Sequence, residues 1–185
     1  MLWFTLPLLF VSGSLARLVG WGNCPTVIKM TDFAPSSFIG SWYEAYRSSS
    51  IFEAGGSCVT AKYTLNDNGT ITVLNTAKLA EQGITVAIEG IATVVGDSAN
   101  GLLSVKFSSS PTAAPYQVLG VKYGHWAVVC SCTKIGLINF QFTWILTRER
   151  NPSQSVLDEA FAVCEANSLS TTDLLPTDQS NCAIA

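Results

Sequence analysis

Charge and histidine are both scarce in this sequence. Of its 185 residues, 10 are Lys or Arg and 13 are Asp or Glu, so charged residues make up 12% and the net charge is -3. A weakly acidic chain gives no reason to expect nucleic acid or an anionic membrane surface as a partner. The single histidine, His125, has no second histidine and no acid at motif spacing to help it hold a metal or act in catalysis. We therefore expect neither a metal site nor an enzyme.

Long apolar runs are missing after the N-terminal segment. Residues 1–11 are apolar and nearly uncharged, but this run is too short to span a bilayer, and no later run reaches the required length. Ser14 and Ala16 suit the small-residue positions of a signal-peptidase site, although the usual positive n-region is absent. We predict a signal peptide over residues 1–16, with Gly20 and Gly22 as alternative cleavage positions, and a secreted protein without a transmembrane segment.

Two further features fit an extracellular protein. Six cysteines follow the predicted cleavage site: Cys24, Cys58, Cys130, Cys132, Cys164 and Cys182. An even number in a secreted chain is typical of a disulfide framework, and Cys-Ser-Cys at 130–132 is not the Cys-x2-Cys spacing of a zinc site. Asn68-Gly69-Thr70 is the single glycosylation sequon, so Asn68 is the predicted glycosylation site.

The rest of the chain is a series of short β-type runs separated by turn signals. Such a series is typical of an antiparallel barrel or sandwich, and closure into a barrel removes exposed strand edges. The eight predicted strands are 42–47, 58–65, 70–75, 84–95, 102–107, 116–123, 126–133 and 139–147. A helix is predicted over about 153–167, because apolar residues recur at helical spacing from Val156 to Cys164. We expect it to pack on the outside of the barrel.

A Gly-x-Trp motif stands at the start of the first predicted strand. Gly40 allows a tight turn into the strand, and Trp42 is large enough to plug the closed end of a barrel. Matching motifs follow along the chain: Ala114-Pro115-Tyr116, Trp126-Ala127-Val128-Val129, Trp144-Ile145-Leu146-Thr147-Arg148 and Thr177-Asp178-Gln179-Ser180-Asn181-Cys182. With these motifs the chain from Gly22 onward resembles a lipocalin, in the branch that contains apolipoprotein D, insect bilin-binding proteins and the crustacyanins.

This resemblance implies the fold and its organisation. It implies one all-β domain over residues 17–185, an eight-stranded antiparallel up-and-down lipocalin barrel over about 40–148 with a C-terminal α-helix packed outside. A tail, residues 168–185, is anchored by a disulfide. The resemblance also implies that Arg148 stacks on Trp42, which makes Gly40, Trp42 and Arg148 residues of the fold rather than of the ligand site.

The resemblance implies two disulfides, Cys24–Cys132 and Cys58–Cys182. Cys130 lies two residues from Cys132, so both side chains point to the same outer face of the strand, where the helix carrying Cys164 is expected. A third bridge, Cys130–Cys164, is therefore expected, and crustacyanin-type lipocalins have a similar link. With all six cysteines paired, no thiol would remain to act as a nucleophile or to attach a pigment.

An eight-stranded barrel has room for one small ligand. The resemblance places four side chains with sparse polar groups and a flat indole wall at cavity positions: Tyr63, Asn75, Tyr116 and Trp144. Phe140 and Phe142 share the strand parity of Trp144 and are expected to extend that wall. If Cys130 faces outward, alternation along its strand places Tyr123 inside as well. Six more apolar side chains are expected to line the cavity: Ile71, Val73, Val86, Ile88, Val105 and Phe107.

These features predict a secreted, non-covalent carrier that transports, stores or displays a small hydrophobic molecule. No cofactor is required. The favoured ligand is an extended pigment, either a biliverdin-type bilin or a carotenoid. A lipid, sterol or retinoid, carried as apolipoprotein D-like proteins do, is the alternative.

Two hypotheses from other classes accompany the carrier. The second family motif usually reads Thr-Asp-Tyr, but here it is Val121-Lys122-Tyr123, at the closed end where many lipocalins meet partners. An interaction lipocalin would use this outer surface to bind a receptor or to form a homo- or hetero-oligomer. An isomerase of the prostaglandin D synthase kind would need a free thiol in the cavity, which complete pairing of the cysteines does not leave.

Overall fold

The part of the chain that the structure describes folds into one antiparallel sheet with two α-helices. The structure, a computed structural model, describes residues 19–49, 56–79 and 82–182; the predicted signal peptide lies outside them. The elements are β1 (Val19–Trp21), α1 (Pro35–Phe38), β2 (Gly40–Ser48), β3 (Gly56–Leu65), β4 (Ile71–Leu79), β5 (Ile84–Val94), a 3-10 turn (Ser98–Asn100), β6 (Leu102–Phe107), β7 (Ala114–Lys122), β8 (Trp126–Ile135), β9 (Ile138–Thr147), α2 (Gln154–Ala166) and β10 (Leu174–Pro176). The eight predicted strands and the helix are all present, and β1, α1 and β10 are additional.

Strands β2 to β9 form a closed barrel. Each pairs with its neighbour in chain order, and β9 pairs back with β2, which confirms the predicted fold class. The two additional strands lie outside this ring of eight. β1 pairs with β9, with Val19 opposite Phe140, and β10 pairs with β2, with Leu174 opposite Ser48. Both cover backbone hydrogen-bonding groups that the barrel strands would otherwise leave at an edge.

A β-bulge in β2 changes which side chains point inward. The pairing of β2 with β9 shifts register between Glu44 and Tyr46. An extra residue of this kind breaks the simple alternation of a strand. As a result Glu44 and Arg47 both line the interior, whereas Tyr46 points outward and meets Phe161 of α2 in an edge-to-face contact of 5.0 Å.

One end of the barrel is closed by Trp42. Its indole is fully buried, donates a hydrogen bond to the Phe38 carbonyl at 2.8 Å, and lies 3.7 Å below the guanidinium of Arg148. Arg148 also donates to the carbonyls of Ile39 and Ser41, at 2.7 and 2.8 Å. Gly40 has a φ of +97°, a backbone conformation that favours glycine. A Cβ atom at this position would also lie only 3.1 Å from the Arg148 Nη1 atom. The predicted stacking of Arg148 on Trp42 is confirmed.

The helix α2 packs on the outside of β7 and β8, as predicted. Ala160 and Cys164 are its buried residues, and they contact an apolar cluster that includes Trp126, Val128 and Ile145. A helix with one apolar face gains most of its stability from such packing. Of the helices in the described part of the chain, none is long and apolar enough to cross a membrane.

All six cysteines lie in the described residues, and four of them are paired. Cys24 is bonded to Cys132 and Cys58 to Cys182, which confirms both bridges that the resemblance implied. The third predicted bridge is not formed: Cys130 and Cys164 are free thiols. Both belong to the apolar cluster between the barrel and α2, where each sulfur packs as a small apolar group.

Candidate ligand-binding site

The barrel encloses a cavity of about 610 Å³ above the Trp42 plug. Its walls are mainly apolar, and five of the six additional lining residues expected from the sequence are there: Val73, Val86, Ile88, Val105 and Phe107. The sixth, Ile71, is buried in the core of the closed end instead. A cavity of this size holds a single small molecule and removes most of its surface from water.

A flat aromatic wall forms one side of the cavity. Phe142 and Trp144, two residues apart on β9, stack with centroids 5.8 Å apart and an interplanar angle of 18°. Tyr116 of β7 continues the wall, stacked 6.4 Å from Trp144 at 27°. Aromatic faces offset in this way give a rigid apolar surface against which a planar molecule can pack. The structure therefore brings these three predicted residues together.

Tyr63 and Tyr116 supply a polar group in this apolar surrounding. Their hydroxyl oxygens are 2.7 Å apart and share a hydrogen bond. Burial raises the pKa of Tyr63 to about 12, although its hydrogen bond with Tyr116 partly opposes the shift. Burial also raises the pKa of Tyr116 well above its ordinary value, and the nearby Tyr63 adds to the shift. Both phenols therefore stay neutral over the physiological pH range.

Asn75 of β4 is a second polar group in the cavity. Its Oδ1 atom is buried and has no hydrogen-bond partner in the described residues. A buried amide oxygen without a donor costs free energy, so a ligand that donates a hydrogen bond gains affinity there. The neighbouring hydroxyls of Thr60 and Thr76 are 2.7 Å apart and hydrogen-bond each other.

Glu44 and Arg47 add an ion pair that the sequence reasoning missed. Both line the cavity, and an Arg47 nitrogen lies 2.6 Å from the Glu44 Oε1 atom. The glutamate is 4% exposed. Glu44 has the strand parity of Trp42, and the bulge after it turns Arg47 inward as well, which a strict alternation of strand residues cannot anticipate.

Two predicted cavity residues lie elsewhere. Tyr123 is in the turn between β7 and β8, and its hydroxyl accepts a hydrogen bond from the Ala34 N–H at 2.6 Å on the closed end. The alternation that placed it inside does not apply, because the strand ends at Lys122 and Gly124 has a φ of +85°. Phe140 does not line the cavity either. It lies beyond Phe142, where β9 pairs with β1 instead of β2.

The two free thiols lie outside the cavity. Cys130 lies on the outer face of β8, and Cys164 lies on the buried side of α2 that packs against the barrel; neither lines the main cavity. Burial raises the pKa of Cys130 to about 11 and that of Cys164 to about 12. Thiols with such pKa values carry almost no thiolate at neutral pH and are poor nucleophiles.

The departure in the second family motif has a structural explanation. The Lys122 Nζ atom lies 2.9 Å from both carboxylate oxygens of Glu159 on α2, and the Trp126 Nε1 atom donates to the same carboxylate at 2.8 Å. These hydrogen bonds lower the pKa of the Glu159 carboxyl, and the one from Trp126 has the largest effect. Lys122 therefore ties the barrel to α2 within the chain.

Two other predicted features concern the surface. Asn68 is exposed in the turn between β3 and β4, and its Oδ1 atom accepts hydrogen bonds from the Thr70 backbone N–H and from the Thr70 hydroxyl, the latter at 2.7 Å. His125 is exposed in the turn before β8. Within residues 19–49, 56–79 and 82–182, no group of three or more His, Cys, Asp or Glu side chains is placed to hold a metal ion.

The closed barrel and its apolar cavity define a class of protein, the carriers of one small hydrophobic molecule. A family model described as a lipocalin-like domain matches residues 35–179, and the chain belongs to the lipocalin family. Apolipoprotein D of Macaca fascicularis is 34% identical over 184 residues, which cover 95% of this chain and 96% of that protein. This similarity places the chain with the lipocalins of the apolipoprotein D branch.

Solved structures share the fold at lower sequence identity. Insecticyanin of the tobacco hornworm Manduca sexta superposes with a TM-score of 0.78 at 22% identity, covering 89% of this chain and 90% of that one. Lobster apocrustacyanin A1 gives a TM-score of 0.74 at 19% identity, covering 91% and 94%. Both comparisons agree with a lipocalin barrel.

Proposed function

We propose that this protein is a secreted, non-enzymatic carrier that binds one apolar, ring-containing molecule without a covalent bond. The observation that carries the proposal is the cavity of about 610 Å³ with its stacked wall of Tyr116, Phe142 and Trp144. Apolar walls remove the ligand from water, and the flat wall favours planar ring systems over flexible chains. The two free thiols, Cys130 on the outer face of β8 and Cys164 in α2, do not line the cavity and are not placed to act as its nucleophile.

The polar groups of the cavity suggest the ligand's chemistry. Asn75 offers an unpaired acceptor, and the Tyr63–Tyr116 pair has one hydroxyl proton beyond the proton in their shared hydrogen bond. A sterol or retinoid, largely apolar with one or two oxygen groups, fits this pattern. The similarity to apolipoprotein D supports such a lipid as the first candidate.

A bilin or carotenoid pigment is the second candidate. The stacked aromatic wall is the observation that favours it, because a conjugated ring system packs well against such a surface. A Cys130–Cys164 bridge, like the link in crustacyanin-type lipocalins, would also favour the pigment. Since Cys130 and Cys164 are free in the structure, that argument no longer applies.

The first experiment extracts and identifies whatever the protein carries when it is purified from its natural source. A colourless protein whose extract contains sterol, retinoid or other lipid supports the first candidate. A visible absorption band that shifts on extraction supports the pigment instead. An empty protein that also fails to bind retinol in solution would contradict the carrier function.

Tryptophan substitutions then locate the ligand. Bound retinol is expected to quench tryptophan fluorescence by energy transfer, and Trp144→Phe should weaken the retinol binding that is measured from this quenching. Trp21→Phe is the matched control, since Trp21 is 82% exposed on β1 and does not line the cavity. Equal effects of the two substitutions would place the ligand outside the barrel.

A further inference from the structure

The barrel wall has a gap between β2 and β3 that another segment fills. The two strands pair only from Gly40 to Tyr43 of β2, opposite Tyr63 to Thr60 of β3. Beyond Tyr43 the strands part, and β2 pairs with β10 through Tyr46 and Ser48 instead. We call residues 174–182, which begin with β10 and run along this gap, the strap.

Backbone hydrogen bonds join the strap to both sides of the gap. The Thr177 N–H donates to the Ala45 carbonyl of β2 at 2.9 Å, and the Cys58 N–H of β3 donates to the Asp178 carbonyl at 2.8 Å. The strap therefore takes the place that a direct β2–β3 pairing would occupy. The disulfide Cys58–Cys182 fixes its far end to β3.

Gln179 supplies one of the side-chain links across the gap; in another, Arg47 of β2 donates to the Gly56 carbonyl of β3 at 3.2 Å. Its Nε2 atom donates to the Glu44 carbonyl of β2 at 2.9 Å and to the Val59 carbonyl of β3 at 2.8 Å. Its Oε1 atom accepts from Arg150 at 2.8 Å. One buried amide thus satisfies two carbonyls that lost their strand partners where β2 and β3 separate.

Thr177 reaches through the gap to the ion pair of the cavity. Its hydroxyl donates to the Glu44 Oε1 atom at 2.6 Å, the same oxygen that Arg47 approaches to 2.6 Å. The residues behind the strap, Glu44, Arg47, Val59 and Thr60, all line the cavity. The strap therefore forms the outer layer of the cavity wall at this position.

Little apolar burial holds the strap in place. Of its side chains only Leu174, Thr177 and Gln179 are buried, and Leu174 is the one large apolar group among them. Cys58 is one end of the disulfide bridge, and Asn181 directly precedes Cys182 at the other end. Their φ values are 54° and 52°, in a region that costs free energy for residues other than glycine. Segments with few apolar contacts open before the rest of a fold does.

We propose that the strap is a movable part of the cavity wall, which opens sideways between β2 and β3 while the rest of the barrel stays folded. The Glu44 carboxylate and the Cys58–Cys182 bridge hold it shut. Opening exposes the cavity laterally and sets the rate at which a ligand leaves. This last consequence rests on the proposed carrier function, and the opening itself does not.

The first test measures amide hydrogen exchange in the ligand-free protein. The Thr177 and Cys58 amides are expected to exchange faster than those of Val128 and Val129 in β8. Thr177→Val, which removes the hydrogen bond to a charged group, should speed exchange at Cys58 about tenfold and leave β8 unchanged. Thr172→Val, the same change at an exposed site before the strap, is the control. If the strap amides exchanged only when the β8 amides also exchanged, the strap would not open by itself and the proposal would be overturned.

The second test measures how fast retinol leaves the protein when the complex is mixed with excess phosphatidylcholine vesicles. Thr177→Val should release retinol about tenfold faster, and Cys58→Ser/Cys182→Ser should release it faster still. Cys24→Ser/Cys132→Ser, which removes the other bridge, should leave the release rate nearly unchanged. Equal release rates in all variants would overturn the strap's control of the cavity. Failure of the wild type to bind retinol would contradict the proposed retinoid ligand, and the exchange experiment would still decide whether the strap opens.

Discussion

The hydroxyl groups of Tyr63 and Tyr116, from strands on different parts of the barrel wall, meet at 2.7 Å inside the cavity. Both phenols are neutral because burial raises their pKa values, so the pair holds two protons and uses one in the shared hydrogen bond. The other proton is available to a ligand oxygen. The pair therefore acts both as a contact across the cavity and as a donor within it.

Tyr116→Phe tests the contact between the two phenols. It leaves the buried Tyr63 hydroxyl without its partner, and we expect the free energy of unfolding to fall by about 1–3 kcal/mol. The double variant Tyr63→Phe/Tyr116→Phe removes both polar groups and should cost less than the sum of the two single changes. Urea unfolding of the four proteins measures these differences. Strictly additive losses would mean that the hydroxyls do not interact.

Stability should fall at alkaline pH. A phenol ionises near pH 10 in the unfolded chain but at about 12 for Tyr63 in the folded chain, so between these values the unfolded state binds fewer protons. The stabilisation is fully present below pH 10 and is lost as the pH rises towards 12, up to about 3 kcal/mol for this group. Guanidinium unfolding at pH 8, 10 and 11 measures the slope. Tyr63→Phe/Tyr116→Phe should flatten it, and an unchanged slope would assign the effect to other groups.

A thiol count distinguishes two bridges from three. The structure predicts two thiols per chain that react with a disulfide reagent after denaturation. In the folded protein at pH 8 the reaction should be very slow, since the pKa of Cys130 is raised to about 11 and that of Cys164 to about 12. A count of zero after denaturation would restore the Cys130–Cys164 bridge predicted from the sequence.

Arg148→Lys tests the closed end of the barrel. A lysine keeps the charge over Trp42, but it cannot donate in a fixed fork to the carbonyls of Ile39 and Ser41. We expect a loss of about 1–3 kcal/mol in the free energy of unfolding with retinol affinity unchanged. A variant as stable as the wild type would show that the stacked charge alone suffices.

Glycosylation of Asn68 is expected when the protein is secreted from eukaryotic cells. The residue is exposed in the turn between β3 and β4, so a glycan attached there would extend into solvent. One shift in electrophoretic mobility should disappear on treatment with an N-glycosidase and in Asn68→Gln. Thr70→Ser keeps the sequon and should keep the shift. An identical mobility of wild type and Asn68→Gln would exclude the modification.

The barrel was predictable because its evidence is local. Alternating apolar residues, turn residues and the Gly40–Trp42 motif each occupy a short window, and strand period and turn chemistry determine what they form. The lining positions of Tyr63 and Asn75 followed from the family resemblance, and that of Phe142 followed from its strand parity with Trp144. These predictions needed no knowledge of long-range contacts.

The parts that were missed depend on irregularities or on distant partners. Tyr123 was misplaced because alternation was carried through a turn that Gly124 signals. Glu44 and Arg47 face the cavity together only because of a bulge, and a bulge has no reliable mark in a single sequence. β10 has three residues, too few to show the alternating pattern by which a strand is predicted. It forms because the edge of β2 is available for pairing.

The order of synthesis gives the strap a further consequence. Cys58 and Cys182 are 124 positions apart, and β10 pairs with the first strand of the barrel. The β2 edge and the two carbonyls that Gln179 satisfies therefore stay uncovered until residue 182 has emerged from the ribosome. Contacts so distant in sequence form slowly, and uncovered strand edges attract other chains in the meantime. We expect the wall beside Glu44 to be the last part of the barrel to form, and the nascent chain to be most prone to aggregation through β2 before it does.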